Sequence, residues 1–154
     1  MYETTDTKKL SHDIRFKAMN LLARREHSRY ELQRKLLQRE YPLDLIASEL
    51  DKLEQENLLS DERYVEAYIN MRKNRGFGPL RIKEELREKG VSAILVDQYM
   101  SADIDWNTQA RGVRERKFGE ELPNDFPSCA KQMRFLQYRG YDAEQINQAI
   151  GSHA

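Results

Sequence analysis

A fifty-residue repeat constrains the fold of this chain more than any other feature. When the sequence is moved along itself by fifty positions, apolar residues fall on apolar residues. Leu36 meets Leu86 and Leu136, Tyr41 meets Val91 and Tyr141, Ile46 meets Val96 and Ile146, and Leu50 meets Met100 and Ile150. The punctuation coincides too. Gly90 meets Gly140, while Pro42, Ser92 and Asp142 stand where a new helix would start. Self-similarity at such a period marks supersecondary units that cannot bury their apolar faces alone and share a core with their neighbours. The 154 residues have room for three units.

Each unit reads as three helices. In the first, Ile14, Ala18, Leu21 and Leu22 form a helical stripe. Ser28 with Glu31 has the spacing of a capping box, in which hydroxyl and carboxylate satisfy orphan N–H groups of the first turn. That helix runs through Leu32, Leu36 and Leu37. Pro42, with its fixed φ, is expected at the first position of a third helix carrying Ile46, Leu50 and Leu53. In the second unit Tyr64, Ala67, Tyr68 and Met71 mark the first helix and are read as core. Gly76-Phe77-Gly78-Pro79 is a turn into a helix carrying Ile82 and Leu86, and Lys89-Gly90 ends it. Ile94 to Met100 is the third. The last unit starts near Asp105 and Trp106, has an added loop around Gly119 to Pro127, and continues through Cys129–Leu136 and Asp142–Ile150.

The expected fold is therefore all-α, with three tandem three-helix repeats stacked into an elongated, curved array: residues 10–58, 59–102 and 103–154, after a flexible N-terminus over 1–9. Composition agrees, with 34% charged residues but only 7 Gly and 4 Pro, which suits helices with solvated outer faces. No apolar run approaches the roughly 20 residues that cross a bilayer, and Met1–Lys9 lacks the apolar core of a signal peptide. A soluble cytoplasmic protein, monomeric by default, is expected.

Net charge is zero, from 26 basic and 26 acidic residues, so only the distribution of charge is informative. Arg24, Arg25, Arg29, Arg34, Lys35 and Arg39 cluster in the first unit. Arg72, Lys73, Arg75, Arg81, Lys83, Arg87 and Lys89 do so in the second, and Arg111, Arg114, Arg116 and Lys117, then Arg134 and Arg139, in the third. Acids gather elsewhere, from Asp44 through Glu49, Asp51, Glu54 and Glu56 to Asp61, Glu62 and Glu66. Charge runs on helical proteins are usually solvated faces laced with i,i+4 pairs. Their recurrence at equivalent places, and the flexible, exposed-looking Arg75-Gly76-Phe77-Gly78 between cations, argue instead for a basic contact face.

Catalytic signatures are missing. No nucleophile motif, P-loop, GxGxxG or HExxH is present. His12, His27 and His153 are far apart, and the single cysteine, Cys129, is read as a small core residue. Trp106 is likewise read as core. An enzyme, a metal site and a cofactor are not expected.

The stretch Met71-Arg-Lys-Asn-Arg-Gly-Phe-Gly-Pro-Leu-Arg-Ile-Lys-Glu-Glu-Leu-Arg-Glu-Lys-Gly-Val91 resembles the central motif of the RecX family. Leu58-Leu-Ser-Asp-Glu-Arg-Tyr-Val65 resembles the start of that family's second repeat, and Ser28–Leu36 the second helix of its first. Asp103-Ile-Asp-Trp106 and Arg134-Phe-Leu-Gln-Tyr-Arg-Gly-Tyr141 resemble its third repeat in proteobacterial members. The likeness covers nearly all of the chain from about residue 11.

The resemblance implies three tandem three-helix repeats. It also implies a regulator without catalytic residues, which binds the RecA filament on single-stranded DNA and inhibits its ATP hydrolysis, strand exchange and co-protease activity. On that reading Arg24, Arg25, Arg29, Arg72, Lys73, Arg75, Phe77, Arg81, Lys83, Arg111, Arg114 and Lys117 are the candidates for contact with RecA or with single- or double-stranded DNA. The main alternative is a stand-alone helical DNA-binding module of helix-turn-helix character. A structural adaptor without a nucleic-acid link is a third reading.

Overall fold

A computed structural model describes residues 4–101 and 104–151. It contains nine helices and no strand among the described residues: α1 (Thr4–Arg24), α2 (Arg29–Leu37), α3 (Leu43–Gln55), α4 (Asp61–Asn74), α5 (Pro79–Glu88), α6 (Ala93–Met100), α7 (Trp106–Phe118), α8 (Phe126–Arg139) and α9 (Ala143–Ala149). The repeat is visible in what is buried. Leu36, Leu86 and Leu136 are each 0% exposed, and the triplets built on Ile46 and Leu50 are buried as well. Equivalent apolar positions thus hold equivalent places in three helix triplets.

Two compact units emerge: residues 1–67 with 88–95, and residues 68–87 with 96–154. The second sequence repeat is therefore divided between them. In the first unit, α1, α2 and α3 pack on one another around Ile14, Ala18, Leu32, Leu36, Ile46, Leu50 and Leu53, with Leu21 and Leu22 against that core. In the second unit, α7, α8 and α9 close around Ala110, Val113, Leu136, Tyr141, Ile146 and Ile150, with Trp106 packed alongside.

Local chemistry sets where helices start. Ser28 caps α2, its Oγ accepting from the Glu31 N–H at 3.1 Å and donating to the Lys89 carbonyl at 2.8 Å. The expected capping box forms only by this half, because the Glu31 carboxylate is held by Arg25. A complete box appears at α9, where Asp142 and Gln145 bond reciprocally at 2.8 and 2.9 Å. Pro42 is the N-cap of α3 and not its first residue, with ψ 136° placing it in extended backbone. Pro79 does open α5, and Asp105 caps α7.

Three further expectations need correcting. The stretch 1–9 contributes Thr4–Lys9 to α1, and its first three residues lie outside the described ones, as do Asp103 and His153. In α4 the inward residues are Tyr64, Val65 and Ile69; Ala67 and Met71 are exposed, since a 3.6-residue period through Val65 and Ile69 turns them outward. Finally, α8 begins at Phe126 on the Asp125 cap, so Pro127 sits in its first turn and Cys129, half-buried, is inside the helix.

Candidate functional site

In the second compact unit, two turns meet through glycines. Arg75-Gly76-Phe77-Gly78 leaves α4 and docks backbone to backbone on the turn between α8 and α9. The Gly78 N–H donates to the Arg139 carbonyl at 2.7 Å, and the Leu80 N–H to the Gly140 carbonyl at 2.9 Å. A Cβ on Gly78 would meet the Gly140 carbonyl and the Tyr141 nitrogen at 2.6 Å, so no other residue permits this approach. Gly140, with φ 98°, is equally confined, since its Cβ would meet Arg81 Cβ at 2.3 Å. The buried Tyr141 hydroxyl donates to the Gly76 carbonyl at 3.1 Å, and burial pushes that phenol up to about 12. Gln109 adds a bond from Nε2 to the Lys73 carbonyl at 2.6 Å.

Around this junction lies a stack of cations and rings. The Phe77 ring, expected to be exposed, is half-buried among three guanidinium groups: Arg72 at 3.8 Å, Arg81 at 4.4 Å and Arg139 at 5.0 Å from its centroid. Glu85 bonds to two of them. It accepts from Arg72 Nε and Nη2, both at 2.8 Å, from Arg81 at 3.3 Å and from the Tyr68 hydroxyl at 2.8 Å. Burial works to raise the Glu85 carboxyl, but the bonds from Arg72, Tyr68 and Arg81 outweigh it and hold it below the usual carboxylate range. Arg81 also reaches the Tyr138 carbonyl at 3.2 Å and lies over the Tyr138 ring at 5.1 Å. These are internal partnerships, so Arg72, Phe77 and Arg81 build the junction.

The remaining candidates divide the same way. In the first unit Arg25 grips Glu31 in a fork at 3.0 and 2.7 Å. Burial works to raise the Glu31 carboxyl, and the Arg25 fork overrides it, so the group stays below its ordinary value. Arg29 pairs with Glu54 and, at 2.7 Å, with Asp51. The acidic stretch of the sequence is partly consumed by such pairs, with Glu56 on Arg15 at 2.7 Å and Asp61 accepting from the Arg29 N–H at 2.8 Å. Arg24 is exposed and forms no ion pair among the described residues.

In the second unit Arg114 was expected on the basic face but is 1% exposed. Its guanidinium donates to the carbonyls of Gly119, Glu120 and Glu121 at 3.2 to 3.3 Å, stapling the loop after α7. Lys83 is exposed, with Asp97 at 3.5 Å. Arg75, Arg111 and Lys117 are exposed and Lys73 half-exposed, and none of the four forms an ion pair among the described residues.

Two of those residues converge. Arg75 and Lys117 line a cavity of about 230 Å³ with Arg116 and Arg139, which were not among the candidates. Arg139 is a basic residue at a helix end followed by glycine, a position that normally reads as a dipole-compensating cap. Its signal is the Arg-Gly-Tyr that follows Tyr138. Arg114 carried a signal as well: Trp106, Ala110 and Val113 trace the buried stripe of α7, and position 114 continues it.

Comparison with known proteins matches this architecture. The family models of the first, second and third three-helix domains of RecX fit residues 15–53, 60–100 and 103–150. A regulatory protein RecX of Pseudomonas fluorescens is 46% identical over 138 residues, covering 89% of this chain and 89% of that protein. That of Pseudomonas entomophila is equally similar, at 46% over 89% of each chain. Among solved structures, RecX from Lactobacillus salivarius shares the fold with a TM-score of 0.80 at 20% identity, covering 94% of this chain and 96% of that one. Another RecX crystal structure gives 0.78 at 18%, over 96% of this chain and 74% of that one. Three matched domains and near-half identity along most of its length place the chain in the RecX family of regulatory proteins.

Proposed function

We propose that the protein is a negative regulator of RecA. It binds the RecA filament on single-stranded DNA and inhibits ATP hydrolysis, strand exchange and co-protease activity, and so modulates recombination, DNA repair and the SOS response. It does this in the cytoplasm as a monomer and without catalysis. The observation that carries the reading is membership of the RecX family across all three helix triplets.

The side chains add a division of labour. Arg25, Arg29, Arg72, Arg81 and Arg114 are held by internal carboxylates or carbonyls and keep the helices in register. Arg24, Lys73, Arg75, Lys83, Arg111 and Lys117 are the exposed or half-exposed cations available to filament carboxylates or to DNA phosphates. Contacts of the latter kind are sequence-independent and weaken as salt rises.

Co-sedimentation tests the reading. The protein is mixed with RecA filaments on circular single-stranded DNA, with RecA alone and with DNA alone. Recovery mainly with the filament is expected. Recovery with DNA alone to the same extent would replace it by the stand-alone DNA-binding module.

A further inference from the structure

Four cations of the second unit, Arg75, Arg116, Lys117 and Arg139, line one cavity of about 230 Å³, and no acidic residue lines it. None of the four forms a salt bridge among the described residues. In a chain with equal numbers of acids and bases this is a marked departure, because Arg72 and Arg81 beside it share Glu85. Three of the four end helices, where a cation offsets the dipole: Arg116 and Lys117 close α7, and Arg139 closes α8. That explains each of them singly. It does not explain why they converge, since like charges gathered in a concavity repel one another unless an anion is taken up.

The floor of the cavity is built to hold one of these groups still. Arg139 lies between two rings, 5.0 Å from the Phe77 centroid and 5.1 Å from that of Phe135, and donates to the Arg75 carbonyl at 3.0 Å. Gly76, with φ 89°, leaves it room, since a Cβ there would stand 3.2 Å from Arg139 Nη1. Little side-chain freedom remains for Arg139 to lose on binding, which favours affinity.

We propose that this cavity is a phosphate-binding pocket that receives the backbone of a single nucleic-acid strand. A lone carboxylate is matched by one guanidinium fork, whereas four cations suit charges that recur along a phosphodiester chain. A planar surface lies on the same stack: Tyr138 is 74% exposed, and Arg81 links its ring to Phe77 and so to Arg139. Exposed rings beside a cationic groove are how proteins hold single strands without reading sequence. The inference deepens the proposed role and rests on it for the identity of the strand, but its test needs no RecA, so either can fail alone.

Fluorescence anisotropy of a labelled oligothymidylate measures binding to the intact protein. Arg116→Glu with Lys117→Glu removes two pocket cations. Lys9→Glu with Lys131→Glu, at two exposed lysines outside the candidate contact residues, makes the same change of net charge outside the pocket. The pocket pair is expected to weaken binding at least tenfold and flatten the salt slope by about 1.4, the control pair by less than threefold. Tyr138→Ser should cost about fivefold or more. The milder Arg116→Gln with Lys117→Gln gives the same direction if the reversal lowers the melting temperature. Equal losses for the two pairs, or no binding by the unaltered protein at low salt, would overturn the pocket. Stronger displacement by a polyglutamate peptide than by unlabelled oligothymidylate would overturn the nucleic-acid strand in favour of an acidic polypeptide.

Discussion

Replacing Gly78 by alanine isolates the junction between the α4–α5 turn and the α8–α9 turn. Gly78 is not among the glycines with positive φ, so alanine adds no backbone strain of its own. Everything it changes comes from the new methyl, which would sit 2.6 Å from the carbonyl of Gly140 and the nitrogen of Tyr141. Those atoms are backbone at a buried turn and cannot rotate aside. The two turns must part by roughly 1 Å to restore van der Waals contact, and the bonds from Gly78 to Arg139 and from Leu80 to Gly140 lengthen or break.

Each of those bonds contributes about 0.5–1.5 kcal/mol net, and residual overpacking costs about 1–3 kcal/mol. Parting the turns relieves the clash by sacrificing the bonds, so the terms are not fully additive, and a loss of about 3 kcal/mol is expected. For a chain of this length that is about 6–12 °C in Tm. Thermal and urea unfolding followed by circular dichroism measure it. Stability within about 0.5 kcal/mol of the unaltered protein would refute the claim that the turns are locked backbone to backbone.

Other outcomes follow from single contacts. His27, 1% exposed, has Nε2 2.8 Å from Lys35 Nζ and Nδ1 3.1 Å from the Arg25 carbonyl. The ammonium can only donate, so the neutral ring accepts at Nε2. Burial, with help from Arg25 and Lys35, holds the imidazole below its ordinary value of 6.5. The unfolded chain therefore takes up the proton first: stability is full above about pH 6.5 and falls as pH drops through the depressed value. His27→Gln should abolish that dependence in unfolding curves measured from pH 8 to 5, and an unchanged slope would contradict it. Arg114→Met leaves the carbonyls of Gly119, Glu120 and Glu121 without their donor and should cost about 2–4 kcal/mol, with faster proteolysis in the loop before α8. Arg72→Glu places a second carboxylate against Glu85 and should destabilise the protein, whereas Arg75→Glu should leave its melting temperature within about 2 °C of the unaltered protein and lower only affinity for its target.

Much of the fold was legible because its signals are local or periodic. Leu36, Leu86 and Leu136 announce three equivalent cores, and Ser28, Asp142 and Gly140 act within a few residues of where they stand. The stripe of α4 was misread because Tyr64, Ala67, Tyr68 and Met71 have helical spacing of their own, and only burial shows that Val65 and Ile69 are the inner residues. The candidate contact residues were harder to read. An arginine looks the same in sequence whether it faces water, as Arg75 does, or is spent on Glu85 or Gly119, as Arg72 and Arg114 are. That distinction depends on partners 13 residues away for Arg72 and 64 for Arg139, which no periodicity encodes. The RecX-like glycine motif was recognised, but its physical basis, a close approach of two backbones, appears only when Gly78 and Gly140 are seen together.

The account is tested most directly by RecA ATP hydrolysis on single-stranded DNA with this protein titrated well below the RecA concentration. It predicts suppression at substoichiometric amounts, and loss of that suppression when Arg75, Arg116 and Lys117 are all reversed in a protein that still melts cooperatively. Undiminished hydrolysis with the matching RecA, at low salt and with verified folding, would contradict it.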